Sequence, residues 1–208
     1  MPRPRLHDPD RVLDAVESLA AQSGAAAVSI RAIGAAIGVS NGALYHSFTS
    51  RGGLMGRAWL RAGRRFLALQ TELVDGVFAR SDHAGPGDAV VAAADAPVVF
   101  AAQHPNSATL LLSVRREEVL ADEIPDDIAA ELRELDTLLV GLMVRLAIAM
   151  WGRKDAAAVD VITSCVVDLP TALLLRRDRL GNATARDHLR AAVRAVLAVG
   201  PPPLQRQH

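Results

Sequence analysis

The sequence predicts an all-α protein, and three observations carry that prediction. Of 208 residues, 38 are alanine and only seven are aromatic. Alanine has the best helix propensity, whereas aromatic and β-branched residues favour strands, so a sandwich or barrel is excluded. Apolar residues recur at steps of three and four along the long segments, the period of a helix with one packed face. Ser, Asp or Asn before these segments and Gly after them mark their starts and stops. Half the residues are apolar and 22% are charged, enough to bury an ordinary core and to exclude global disorder. At about 150 residues per domain, the chain holds one or two domains.

Each element has its own signal. Asp8-Pro9 places a cap and a first-turn proline before the stripe Val12, Val16, Leu19, which Gly24 ends. Ser29 caps a short helix with Ile30, Ile33 and Ile37 on one face, ended by Gly38. Ser40 caps a third, to about Ser47, and Ser50 a fourth. In the fourth, Met55, Trp59, Ala62, Phe66, Leu69 and Leu73 fall within about 40° of one direction. Arg57, Arg61, Arg64 and Arg65 fall within about 100° on the opposite side, which predicts one packed and one wet face.

Residues 81–87 read as a loop from their Gly and Pro content. A helix is expected over 88–103, kinked at Pro97. His104-Pro105 closes it before another helix at 106–120. Pro125 opens the next, with Ile128, Leu132, Leu135, Leu139, Leu142 and Leu146 in helical rhythm. Asp155 starts another, with Val159, Ile162, Val166, Leu169 and Leu173. Thr184 and Asp187 resemble a capping box for a last helix ending near Val199, before the Pro201-Pro202-Pro203 tail. Nine helices and no strands are expected.

Other classes are excluded in turn. No run of 18 apolar residues exists, and the best stretch, 138–151, is broken by Arg145, so no membrane span is expected. Asp8 and Asp10, without an apolar segment beside them, argue against a signal peptide. The single cysteine, Cys165, cannot form an internal disulfide and suits a reducing cytoplasm.

The 23 basic and 23 acidic residues cancel, yet they are unevenly placed. Residues 1–65 hold nine arginines against four acids, and no acid lies between Ser18 and Thr71. A positive first segment on an acidic body fits a polyanion partner. It fits a solvated basic face equally, and charge alone does not decide between them.

The short helices decide more. Two of them joined at Gly38-Val39-Ser40 form a helix-turn-helix pattern, whose second helix can enter the major groove. Gly38 supplies the left-handed residue ending the first helix. Val39, Leu44 and Phe48 pack inward, leaving Asn41, Ala43, Tyr45 and His46 outward. Asn pairs bidentately with adenine, and small Gly42 and Ala43 allow close approach to a base edge or thymine methyl. Ser29, Ser40, Tyr45 and the amides at helix starts suit phosphate oxygens, and Arg51 adds a charge.

Residues 28–51 closely resemble the DNA-binding signature of the tetracycline-repressor (TetR) family. The matching positions include Ser29, Ile33, Gly38, Val39, Ser40, Gly42, Leu44, Tyr45, Phe48, Ser50 and Arg51. The resemblance covers roughly residues 8–66 at motif level. It implies an N-terminal three-helix DNA-binding domain (8–66) and a C-terminal effector-binding and dimerisation domain (67–200). It also implies a homodimer on a near-palindromic double-stranded operator, usually repressing and released by a small-molecule effector. By resemblance, Ser29, Tyr45 and Arg51 contact phosphates, while Asn41, Gly42 and His46 lie at the groove. Arg31 and Ser40 complete the expected DNA-binding set. Ser47, Ala43, Gly52 and Gly53 depart from the family pattern, and each glycine weakens its helix turn by about 1 kcal/mol relative to alanine.

Other constellations carry less. Ser113, His104 and Asp95 lack any nucleophile-elbow context and read as surface or capping residues rather than a triad. The acid run Glu117, Glu118, Asp122, Glu123, Asp126 and Asp127 lacks ligand-loop spacing and reads as a solvated face. Cys165 reads as a small core residue. Phe100, His104, Met143 and Trp151 are the candidate effector-pocket residues, large or polar-tipped among Ala, Val and Leu; filling core gaps accounts for them equally. The helices at 155–176 and 184–199 are apolar on more sides than one core needs, which a four-helix interface with a second subunit would satisfy. No cofactor, metal or membrane is expected. The expected function is a cytoplasmic DNA-binding regulator. The rivals are a helical ligand-binding or scaffolding protein with a degenerate helix-turn-helix, and an enzyme, for which no convergent set of ionisable groups is found.

Overall fold

The computed structural model describes residues 8–80, 85–113 and 124–204. Among them are nine helices and no strand: α1 (Pro9–Ser23), α2 (Ile30–Ile37), α3 (Asn41–Phe48), α4 (Arg51–Phe78), α5 (Pro86–Gln103), α6 (Pro105–Ser113), α7 (Asp126–Trp151), α8 (Ala156–Leu175) and α9 (Ala183–Val199). A single 3-10 turn, Ala25–Ala27, links α1 to α2. Residues 81–84, 114–120, Glu117, Glu118, Asp122 and Glu123 lie outside the described residues, as do those parts of the expected loop, helix and acid run.

The described residues fall into two compact units. One joins 8–65 with the described part of 103–135; the other joins 66–102 with 136–204. The first therefore recruits α6 and the start of α7 from mid-chain, because α6 packs on α1. A reading along the chain, cut once after residue 66, does not anticipate that return.

Caps explain most helix ends. Asp8 accepts from the Asp10 amide, Ser29 from Ala32, Ser40 from Ala43 and Asp155 from Ala158. The last helix starts earlier than its expected capping box. Asn182, not Thr184, accepts from the Ala185 amide at 2.9 Å.

In the first unit Val12, Val16, Val28, Ile33, Leu44, Phe48, Leu54 and Leu110 form one buried cluster. All of α4 between residues 52 and 63 is buried or half-buried, so the expected wet face narrows there to the Arg57 side chain, 39% exposed. Glycines make that packing possible. A Cβ on Gly56 would sit 3.0 Å from Ile128, and one on Gly63 2.6 Å from Leu135. Gly53, which sequence alone marks as a weak point, is demanded by the α3–α4 junction. Its Cβ would lie 2.4 Å from the Phe48 carbonyl oxygen.

In the second unit α5 continues through Pro97. Proline has no amide to donate, so the carbonyl four residues earlier, Ala93, loses its helical partner. Gln70, only 1% exposed, donates its side-chain amide to that carbonyl at 2.9 Å. Helix α8 widens from α to π form at Ser164–Asp168 and Thr171–Leu175, on either side of Pro170. Pro170 likewise frees a carbonyl, and the neighbouring amides reach five residues back, as Arg176 does to Thr171 at 2.9 Å. The wider turn moves the buried face. Pro170 and Leu174 are buried where Leu169 and Leu173 were expected to be, while Cys165 is buried as expected. Among the described residues, α8 is the one helix long and apolar enough to cross a membrane by length and composition, although Asp160 and Asp168 interrupt it.

Two measurements check this packing. Gly53→Ala should lower the free energy of unfolding in urea by about 1–3 kcal/mol through overpacking. Gly76→Ala, with nothing within 4 Å of the added carbon, should raise it by about 0.5–1 kcal/mol. Burial pushes the Cys165 thiol up to about 11, so at pH 8 on the order of one thiol in a thousand is ionised. A disulfide exchange reagent at pH 8 should therefore leave Cys165 unmodified until denaturant is added.

Candidate nucleic-acid interface

Helix α2 ends at Gly38, whose φ of 71° is left-handed, and Ser40 starts α3 two residues later. The turn is tight because Gly34 has no side chain. A Cβ there would meet the Val39 carbonyl at 2.7 Å and the Asn41 Oδ1 at 2.9 Å. On α3, Leu44 and Phe48 point into the core, at 1% and 5% exposure. The opposite side presents Asn41, Gly42, Tyr45 and His46, with Tyr45 56% exposed. Gly42 has open space around it, so its backbone can be approached closely. Ser29, Arg31 and Ser40 are exposed at the neighbouring helix starts, while Ala43 is half-buried. Asn41 leans its amide oxygen back towards Gly34 and must turn outward to meet a base.

After α3 the chain bends sharply. Thr49 has φ 59° and ψ −47°, and the Ser50 amide donates to the Phe48 carbonyl at 2.6 Å. This is a γ-turn of the positive-φ form, strained for a β-branched residue. Ser50 then accepts from the Gly53 amide at 3.0 Å and starts α4.

The arginines of α4 are placed differently from the expectation. Arg61, 12% exposed, donates to Glu17 and Asp14 at 2.8 Å and to Asp10 at 3.2 Å. Burial lowers its pKa, but the Glu17 carboxylate, with Asp10 and Asp14, outweighs this and raises it overall. Arg57 pairs with Asp127 at 2.8 Å, Arg64 with Glu131 at 2.9 Å, and Arg65 approaches Glu17 at 3.6 Å. The groove of about 340 Å³ that these arginines line, walled by Leu13, Phe48 and Leu60, is electrically matched by acids. A basic stripe in the sequence has become the internal tie of the unit rather than a surface for a polyanion. Arg51 is engaged too: it donates to the carbonyls of Val28 and Ala25.

The four expected effector-pocket residues fall on different elements. Phe100 is fully buried with its ring edge-on to Phe66, 5.4 Å between centroids. Met143 is buried on α7. Trp151 ends that helix, about 12 Å further along its axis at 1.5 Å per residue, with its indole nitrogen beside Gly200. His104 belongs to the first unit, between α5 and α6. Asp95, considered above for a triad, is held by Arg186 at 3.0 Å and by Arg190.

Sequence reasoning missed Glu17 and Ser107. Glu17 is nearly inaccessible and accepts from the Ser107 hydroxyl at 2.6 Å as well as from Arg61. A signal for Glu17 was present: Asp10, Asp14 and Glu17 are spaced four and three apart, one face of α1. Nothing in the sequence marks Ser107.

Residues 12–58 match the bacterial regulatory proteins of the tetR family. These residues are a tetR-family domain. Solved structures share the fold of the whole chain. A bacterial regulatory protein in the tetR family from Rhodococcus RHA1 is 19% identical, over 97% of this chain and 100% of its own, with a TM-score of 0.63. A putative transcriptional regulator from Pseudomonas aeruginosa PAO1 is 18% identical, over 92% and 88%, with a TM-score of 0.68. The ketosteroid transcriptional regulator of Mycobacterium tuberculosis is 16% identical, over 98% of both chains, with a TM-score of 0.59. No curated protein matches the chain. The tetR-family domain is DNA-binding, and its α2–α3 pair is the helix-turn-helix of a transcriptional regulator.

Removing one member of the Glu17 cluster tests the internal role of these charges. Glu17→Ala leaves Arg61 with a lost buried partner and should cost about 3 kcal/mol by urea unfolding. Asp10→Asn, at a carboxylate 73% exposed, should cost no more than about 0.5 kcal/mol.

Proposed function

We propose that this DNA-binding regulator acts as a homodimeric repressor in the cytoplasm, releasing its operator when a small effector fills the second unit. One observation carries the DNA reading. A short helix with its apolar side sunk in the core offers Asn41, Gly42, Tyr45 and His46 to a groove, inside a tetR-family domain. Ser29, Arg31, Ser40 and Tyr45 are set to hold phosphates, and Asn41 with His46 to read base edges, Ala43 remaining close to the floor of the groove.

Dimerisation is supported by α8. Only 33% of its most apolar stretch is buried within the chain, and Val167 is exposed. A second copy covering this face and α9 would bring two recognition helices to half-sites about 34 Å apart, as a near-palindrome requires. An effector that favours a dimer with a different spacing then lowers operator affinity by linkage. For the effector, Phe100, Met143 and Trp151 of the second unit are the candidate lining. There Gln70 keeps its side-chain oxygen buried with no hydrogen-bond partner among the described residues, an acceptor suited to a hydroxyl or N–H of a bound molecule. His104, the fourth candidate, belongs to the first unit. The rival, a ligand-binding protein with a degenerate helix-turn-helix, requires neither the exposed Tyr45 nor the open Gly42.

Fluorescence anisotropy with the DNA upstream of the protein's own gene separates the two. About eight phosphate contacts per dimer give a log-affinity against log-salt slope near −7. Tyr45→Ala should weaken binding to all sequences alike, whereas Asn41→Ala should also relax preference at one base position by about 1–3 kcal/mol. A folded dimer with no binding at low salt refutes the regulator reading.

A further inference from the structure

Arg51 is the first residue of α4, next to the strained Thr49 turn and one residue beyond the N-cap Ser50. A cation there is at the unfavourable end of the helix dipole, which a phosphate contact would explain. The structure shows another reason. Its side chain crosses back over the motif, with Nε donating to the Val28 carbonyl at 2.8 Å and Nη2 to the Ala25 carbonyl at 2.9 Å. Val28 ends the 3-10 turn Ala25–Ala27, where the helical hydrogen-bond ladder stops and an acceptor needs a donor from elsewhere. Ala25 opens that turn, and its carbonyl accepts from the Val28 amide at 3.2 Å as well as from Arg51. Val28 directly precedes Ser29, whose hydroxyl starts α2.

One guanidinium therefore joins the entrance of α2 to the start of α4, across 23 positions of chain. The loop it closes contains the whole α2–turn–α3 motif. Helix α3 is only eight residues long and is anchored by two buried side chains, Leu44 and Phe48. Such a helix takes its direction from its two ends. Base readout tolerates errors of about 0.5 Å or 10–20°, so a strap from the entrance of α2 to the start of α4, closing the motif that holds α3, bears directly on specificity. The geometry also requires arginine. A planar fork serves two carbonyls at once, which the single ammonium of lysine does not reproduce.

We infer that Arg51 is a positioning residue: it fixes the recognition helix by strapping Ala25 and Val28 to the start of α4, and it is not a phosphate contact. The assignment rests on the DNA-binding reading above. The test compares the full-length parent with Arg51→Lys and Arg51→Met, by anisotropy across a salt series. The probes are DNA upstream of the gene and an unrelated duplex of equal length. Arg51→Lys should lose at least about tenfold in affinity for the upstream DNA despite its retained charge. Binding to the unrelated duplex should stay at the parent's level. Arg51→Met should lose specific affinity similarly, with the salt slope unchanged.

Three results overturn the assignment. The first is Arg51→Lys binding the upstream DNA as the parent does. The second is Arg51→Met reducing the slope by about 0.9 per subunit, the signature of a lost phosphate contact. The third is both variants losing helix content by circular dichroism, which would make Arg51 a general stabiliser. If the parent itself shows no preference for the upstream DNA, the DNA reading fails first and takes this assignment with it.

Discussion

The first unit depends on a carboxylate that water barely reaches. Glu17 is held by Arg61 and Ser107, with Arg65 beside it, so α1, α4 and α6 share one charge-assisted junction. A buried ion of this kind is costly to desolvate and stable only when its lone pairs are matched by well-placed donors. That condition fixes how the three helices meet more tightly than apolar packing, which tolerates sliding. Asp10 and Asp14 surround the same guanidinium from the surface. The arginine stripe of α4 thus has its counter-charges inside the protein, and the exposed side of α3 is left as the surface that looks outward.

Most of the fold was legible because it is written in local rules. Caps at Asp8, Ser29, Ser40 and Asp155, the left-handed Gly38 and the three-four rhythm of α7 all act over a few residues, which is the range sequence reading handles. The exposed set on α3 was legible for the same reason, since Leu44 and Phe48 point the remaining side chains outward. What escaped was non-local. Whether Arg61 faces solvent or Glu17, and whether Gly53 weakens a helix or makes room for Phe48, depends on partners distant in sequence or on a junction geometry that has no pattern. The last cap slid from Thr184 to Asn182 because several nearby polar residues can accept from an amide, and spacing does not choose among them.

Prolines inside helices taught a related lesson. Pro97 and Pro170 each remove one donor, and the chain answers in two ways. At Pro97 a side chain, Gln70, reaches the abandoned Ala93 carbonyl. At Pro170 the backbone itself widens into π turns, which brings Pro170 and Leu174 into the core in place of Leu169 and Leu173. A periodicity argument assumes a constant turn, so it fails wherever a proline changes the pitch.

Because Ser107 completes the Glu17 junction from mid-chain, the DNA-facing unit is not a contiguous piece of sequence. Excising residues 8–66 as a miniature binder would strip the carboxylate of its hydroxyl donor and uncover the side of α1 that α6 shields. Grafting this headpiece onto another scaffold therefore calls for transplanting the segment around Ser107 as well, or for replacing Glu17 and its arginines with apolar side chains of matching volume.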